Sequence, residues 1–288
     1  MKIGIVGGGA VGLLTALHLS KQHETALFVR NELQKRELNN KGIRCNKLHA
    51  EVEAFTDAAY FNDQDLLIIT VKQYDVPAVL EQLPPSLPVL FLQNGMSHLD
   101  SLEPLSNPCG VGVVEHGAVR ISNYEVSHTG KGVIYLADFH NFLKGEELAE
   151  ELTVEGFKFL YRENYWSMLA EKVVINTVIN PLTALFNVKN KEILLNPHIY
   201  ELAEKLCLEA CEVLDLSFEE QWKRVLRVAE RTGENQSSML RDLLEHRKTE
   251  VEAISGYILK KSDGRALYHF FVVNAIHALE LKSKGESL

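Results

Sequence analysis

Cysteine is scarce in this chain: there are four in 288 residues, Cys45, Cys109, Cys207 and Cys211, and none forms a CxxC pair. That spacing excludes the disulfide framework of small secreted domains and predicts free thiols. Cys207 and Cys211 lie one helical turn apart, but no second pair at ligand spacing accompanies them, so core packing is expected and no metal site. Positive charge is also in deficit. Thirty Lys and Arg stand against 39 Asp and Glu, a formal net charge of -9, and no basic run offers the phosphate contacts that nonspecific nucleic-acid binding requires. No apolar run reaches the roughly 20 residues that cross a bilayer. The N-terminus enters a strand-like pattern without the charged and apolar regions of an export signal. These absences predict a cytoplasmic protein with neither a membrane nor a nucleic-acid partner. No internal repeat, low-complexity segment or long linker interrupts the chain.

Glycine, by contrast, is concentrated where it can act. Ile3, Ile5 and Val6 form a short apolar β-run, and Gly7, Gly9 and Gly12 follow in G-x-G-x-x-G register, with Gly8, Ala10 and Val11 between them. The helical pattern Val11 to Leu19 comes next. This strand, turn and helix order is what a dinucleotide site needs. Gly7 permits the tight turn, Gly9 lets backbone approach a pyrophosphate, and Gly12 allows close packing of helix on strand. The phosphates would sit on the helix N-terminus, where unpaired N–H groups and the helix dipole favour negative charge. The next strand, Thr25 to Val29, ends at Arg30, where an NAD-selecting site usually carries Asp or Glu. A guanidinium there suits a 2′-phosphate, so NADP(H) is the expected cofactor, although Glu32 is near enough to reach the ribose.

The first half alternates β-runs with helical segments, the signature of a parallel sheet covered on both faces. Further strands are predicted at Asp65–Val71, Pro88–Gln93, Gly110–Val114 and Gly132–Leu136. A helix is expected near Val76–Leu83, and a hairpin-like excursion between the last two strands. Beyond Asn164 the spacing becomes helical, over Leu169–Leu185, Ile199–Leu214, Glu219–Glu230 and Ser237–Lys260. The expected fold class is therefore α/β, with an N-terminal Rossmann-type parallel-sheet domain over residues 1–163 and an all-α C-terminal domain over 164–288.

Ligands of open parallel sheets bind beyond the carboxyl ends of the strands, which singles out Lys72 and Asn94. Asn94-Gly95 is equally a common turn pair. In the helical half, Lys172, Asn176 and Asn180 are spaced i, i+4 and i+8, so they share one stripe through an otherwise apolar helix. Pro181 should kink or end that helix. An exposed polar stripe would be ordinary, and the asparagines could be turn formers. A second polar cluster holds Asn235, Ser238 and Glu250. Thr249 with Glu252 has capping-box spacing, which would place Glu250 in a first helical turn, whereas Ser238 could be only an N-cap and Asn235 only a turn residue.

Taken in order, these segments resemble the ketopantoate reductase (2-dehydropantoate 2-reductase) family over nearly the whole chain. The resemblance runs through GGGAVG at Gly7–Gly12, T-x-K at Thr70–Lys72 and N-G-M at Asn94–Met96. It continues through K-x-x-x-N-x-x-x-N-P-L-T at Lys172–Thr183, Asn190, N-x-x-S-M-L-x-D from Asn235 and R-x-T-E ending at Glu250. It implies NADPH-dependent reduction of ketopantoate to pantoate in pantothenate biosynthesis, in a cleft between the domains. Lys172 would be the catalytic acid. Asn94, Asn176, Asn180, Asn190, Asn235, Ser238 and Glu250 would form the substrate site. Gly7–Gly12, Arg30, Lys72 and Asn94 would hold the cofactor. A reductase of another 2-oxo acid and a catalytically silent NADPH-binding sensor are the alternatives, and a homodimer is compatible with the family. The chain departs from the family pattern at Lys260–Tyr268, which is abbreviated before the last helix and leaves that helix's packing, and any dimer contact there, open.

Overall fold

The computed structural model describes residues 1–141 and 144–285. The chain forms two compact units, Met1–Gln93 with Leu99–Met168, and Asn94–His98 with Leu169–Leu288. The short segment Asn94–His98, which the sequence reading keeps within residues 1–163, is thus integrated into the helical unit.

The strands in chain order are β1 (Lys2–Val6), β2 (Glu24–Phe28), β3 (Ile43–Cys45), β4 (Leu48–Ala50), β5 (Glu53–Phe55), β6 (Leu66–Ile69), β7 (Val89–Phe91), β8 (Cys109–Val114), β9 (Gly117–Arg120), β10 (Val126–Gly130), β11 (Ile134–His140) and β12 (Phe159–Tyr161). Eight of them make the main sheet, in the order β12-β11-β8-β7-β6-β1-β2-β5, while β9-β10 and β3-β4 form two-stranded sheets. Neighbours in the main sheet are parallel except β8 and β11, which are antiparallel. The parallel strands are buried apolar runs, as strands covered on both faces must be: Leu66, Leu67, Ile68 and Ile69 of β6 are all 0–1% exposed. The excursion between β8 and β11 is the β9-β10 hairpin. Strand order reverses beside β1, with β2 on one side and β6 on the other, and this switch point sets the ligand end of the sheet.

The helices are α1 (Ala10–Leu19), α2 (Glu32–Lys41), α3 (Val76–Leu80), α4 (Leu99–Leu102), α5 (Gly145–Leu152), α6 (Tyr165–Phe186), α7 (Glu192–Leu195), α8 (Pro197–Leu214), α9 (Phe218–Arg231), α10 (Ser238–Leu244), α11 (Tyr257–Lys261) and α12 (Leu267–Gly285). Leu13, Leu14 and Leu17 of α1 join Ile3, Ile5 and Leu27 in the core of the sheet unit. The four cysteines are buried and free.

Three expectations change. First, α6 does not stop at Pro181 but runs through it to Phe186. Buried Val178, Ile179, Leu182 and Ala184 hold the helix on both sides of the proline, and the Thr183 hydroxyl, placed to donate to the carbonyls of Ile179 (2.7 Å) and Asn180 (3.1 Å), supplies polar pairing just past it. Second, α6 is long and apolar enough to cross a membrane by length and composition, with mean hydropathy 1.2, although 72% of that stretch is buried inside the protein. That is the burial of a core helix, whose apolar surface faces protein. Third, the helical pattern at Ser237–Lys260 divides into α10, a loop in which His246 takes φ 53°, a π-helical turn Glu252–Gly256, and α11.

The abbreviated segment before the last helix closes well. Glu209 of α8 accepts the backbone N–H groups of Tyr268 (3.0 Å) and His269 (3.1 Å) at the start of α12, and the buried His269 ring meets the same carboxylate at 2.8 Å.

Candidate active site

At the switch point, backbone geometry dictates the glycines. Gly7 has φ 121°, and a Cβ on Gly12 would lie 1.8 Å from the Gly7 carbonyl oxygen, so no side chain fits there. A Cβ on Gly9 would meet nothing within 4 Å. Gly9 is also the N-cap of α1 and brings no side chain to its orphan N–H groups, which Ala10 and Val11 carry into the first turn. This is an open, electropositive helix start. Gly8 has a different job: a Cβ there would lie 2.5 Å from the Gln34 amide, whose nitrogen donates to the carbonyls of Gly8 and Asn123, both at 2.8 Å. Gln34 of α2, absent from the sequence reading, braces the loop. Only its place on an apparently exposed helix hides it, for it is 5% exposed.

Arg30 follows β2 with its side chain 81% exposed, and its Nη1 meets Asp75 Oδ1 at 2.8 Å. Glu32 is turned elsewhere, accepting the Thr56 hydroxyl and pairing with Lys35 at 3.6 Å; the Thr56 hydrogen bond holds its pKa below the ordinary range. Lys72 is half-buried beyond β6, and its carbonyl accepts the Asp75 N–H at 2.9 Å. Asp75 therefore anchors both loops at this end of the sheet, a role its exposed-loop sequence context does not announce.

In the helical unit, Asn176 and Asn180 of α6 are each 8% exposed. Among the described residues neither side-chain amide bonds to another protein group. Neither amide is among the buried polar atoms left without a partner, so both residues are largely buried while their polar ends stay accessible from outside the protein. Lys172, one turn earlier on the same stripe, is half-buried. Thr177, beside Asn176, bonds the hydroxyl of buried Ser255 in the π-turn at 2.8 Å. That turn in turn holds the Asn94 segment. Met96 N–H donates to the Ala253 carbonyl at 3.2 Å, and Gly95, at φ 82°, has its absent Cβ position 2.0 Å from the same oxygen. Asn94 Nδ2 then donates to Glu250 Oε2 at 3.2 Å.

Ser237, rather than Ser238, caps α10 by accepting the Leu240 N–H at 3.1 Å, and its hydroxyl lies 2.8 Å from that of Thr183. The exposed Ser238 hydroxyl is thus released from the capping role. Asn190 and Asn235 take part in a loop staple: Asn190 N–H donates to the Asn235 carbonyl at 3.1 Å, and Asn190 Nδ2 to Thr232 Oγ1 at 2.9 Å. The capping box at Thr249 is not formed as its spacing suggests. Thr249 Oγ1 accepts the Val251 N–H at 3.3 Å, but the Thr249 N–H goes to Glu280 at 2.7 Å, while Glu252 is drawn to His277.

Two family profiles cover most of the chain, "Ketopantoate reductase PanE/ApbA" over residues 3–141 and "Ketopantoate reductase PanE/ApbA C terminal" over residues 164–280. The chain belongs to the ketopantoate reductase family. A 2-dehydropantoate 2-reductase of Bacillus subtilis (strain 168) is 39% identical over 97% of this chain and 98% of its own length. The crystal structure of a probable 2-dehydropantoate 2-reductase from Bacillus subtilis superposes with TM-score 0.85 at 37% identity, covering 97% of this chain and all of the other. The fold alone is shared with D-mandelate dehydrogenase, solved with NADH and anilino(oxo)acetate, at TM-score 0.91 and 23% identity over 99% of each chain. As a ketopantoate reductase family member, this chain is an oxidoreductase using a nicotinamide cofactor.

Proposed function

We propose that the protein reduces the 2-oxo group of 2-dehydropantoate to give pantoate, with NADPH as the reductant, as the step its family supplies to pantothenate biosynthesis. The observation that carries this reading is the buried stripe on α6, where two amides without protein partners continue from Lys172. The dinucleotide fits the sheet end: Gly9 leaves the space a pyrophosphate needs, and the first turn of α1 carries no acidic residue to repel it. Arg30 would hold the 2′-phosphate, with Lys72 beside the cofactor; Glu32, engaged with Thr56, is not aimed at a ribose hydroxyl pair.

When bound, NADPH supplies the hydride that converts the C2 carbonyl into an alkoxide. Lys172 stabilises the growing negative charge on that oxygen and gives it a proton. The Asn176 and Asn180 amides and the Ser238 hydroxyl orient the substrate's carboxylate and neighbouring oxygens without adding a competing charge. Glu250, steadied by Asn94, accepts the substrate's terminal hydroxyl. NADPH consumption should therefore depend on ketopantoate. An analogue lacking the terminal hydroxyl should lose roughly 10- to 100-fold in kcat/KM, because it offers Glu250 no hydroxyl to accept. Equal turnover of the two compounds would favour a reductase of some other 2-oxo acid, and cofactor binding without turnover of any oxo acid would favour a sensor.

A further inference from the structure

Glu250 stands between two residues that are both gripped from the last helix. On one side, the backbone N–H of Thr249, a residue 3% exposed, donates to Glu280 Oε1 at 2.7 Å. On the other, Glu252 Oε1 lies 2.6 Å from His277 Nε2, and the same ring places Nδ1 3.2 Å from Glu280 Oε2. With a carboxylate against each nitrogen, the pair of contacts favours the imidazolium form, the only one in which both nitrogens donate. Burial pulls the His277 pKa down, but the hydrogen bonds and charges of Glu252 and Glu280 outweigh it and raise the pKa above its ordinary value. A carboxylate from α12 thus does the work that a capping box would assign to Glu252. Glu252 is displaced because it opens the π-turn whose Ala253 carbonyl seats Gly95 and Met96.

We infer that Glu280 and His277 are positioning residues for substrate recognition: from α12 they clamp the chain on either side of Glu250 and so set its carboxylate against Asn94 for the substrate hydroxyl. The clamp grips the chain one residue before Glu250 and two residues after it, and lies wholly within the helical unit, as does the Asn94 amide that donates to Glu250. Through the Thr249 N–H and the Glu252 carboxylate, their effect reaches Glu250 along the backbone. This inference rests on the proposed function only for the identity of the ligand that Glu250 receives.

Two substitutions of Glu280 separate positioning from bulk stability. Glu280→Gln keeps an oxygen for the Thr249 N–H, whereas Glu280→Ala removes it. Glu280→Ala should raise the KM for ketopantoate about 10-fold or more, with the KM for NADPH within about 2-fold; Glu280→Gln should recover most of the loss. His277→Gln, which keeps a donor but not the charge, should give an intermediate rise and carries the same test if Glu280→Ala does not fold. In parallel, amide exchange of segment 249–252 in the ligand-free protein should quicken about 10-fold or more in Glu280→Ala and stay near wild type in Glu280→Gln. An unchanged ketopantoate KM in a folded Glu280→Ala, a matching rise in the NADPH KM, or equal losses in the Ala and Gln variants would overturn the clamp. Exchange rates indifferent to Glu280 would overturn it whatever the substrate. Wild-type protein that reduces no ketopantoate while the exchange rates respond as expected would instead strike at the proposed function.

Discussion

Lys172, Asn176 and Asn180 illustrate what one side chain's surroundings add to its spacing. Their separation puts them on one stripe, but an exposed stripe would have the same separation; what sets Asn176 and Asn180 apart is that both residues are largely buried while their amides keep an opening to the surface. Ser237 and Ser238 show the reverse problem. The two are adjacent and chemically identical, and only the Leu240 N–H bond reveals that Ser237 is the cap. Position and charge single out Arg30 in the sequence, yet its partner Asp75 lies 45 residues away, beyond the reach of any local pattern. At this scale the cofactor assignment has a direct consequence. Arg30→Ala should raise the KM for NADPH about tenfold or more and leave the KM for NADH nearly unchanged, since only NADPH presents a 2′-phosphate to the guanidinium. Steady-state kinetics with both cofactors would show this, and parallel changes for the two would remove Arg30 from phosphate recognition.

Among the elements, the β9-β10 hairpin brings a buried histidine group to α1. His18 of α1 and His116 each stack on Phe157, with ring centres 4.5 and 4.4 Å away, and His116 Nδ1 lies 3.0 Å from His128 Nε2. Gly132 donates its N–H to His116 Nδ1 at 3.1 Å, so that nitrogen carries no proton. Burial lowers the pKa of His18 and His116 to about 4, with further lowering from neighbouring positive groups, and lowers that of His128. Fully buried His98 is likewise held down to about 4 by burial. These bases stay neutral when folded but take up protons when unfolded, so the unfolded chain binds more protons as pH drops below about 6.5. Stability should therefore fall between about pH 6.5 and about pH 4, by at most about 3 kcal/mol for each of the strongly shifted rings. Urea unfolding at several pH values would measure it. His18→Phe should flatten the dependence, while stability that is level or rising on acidification in the wild type would contradict the assignment.

The π-turn is a second element with a consequence of its own. Because Gly95 combines φ 82° with backbone contact to Ala253, Gly95→Ala should cost about 2 kcal/mol or more and raise the ketopantoate KM by displacing Asn94. Equilibrium unfolding and kinetics read the two effects separately; a variant as stable as wild type would mean that the segment adapts. The turn itself was not legible in Ser237–Lys260, where helical spacing continues across the loop, because a left-handed residue such as His246 and a one-residue bulge leave hydrophobic periodicity almost intact. Pro181 misleads in the opposite direction. Local rules end the helix there, and the packing of α6 in its core carries it on.

At the scale of the whole molecule, the succession of β-runs and then helical runs was readable because burial on both faces of a sheet and on one face of a helix leave different periods. What could not be read was the exchange of a segment: Asn94–His98 follows a strand of the sheet unit but belongs to the helical one, since the bonds that hold it come from residues more than 150 positions later. That exchange places all the proposed substrate-site side chains, from Asn94 to Glu250, in a single compact unit. The proposed chemistry therefore turns on one amine in that unit, that of Lys172. The most direct measurement is the rate of ketopantoate reduction by NADPH in wild-type protein and in Lys172→Ala. The variant should bind NADPH and melt as the wild type does while its kcat falls roughly 10²- to 10⁴-fold. A folded Lys172→Ala protein that reduces ketopantoate within a few-fold of the wild-type rate would contradict it.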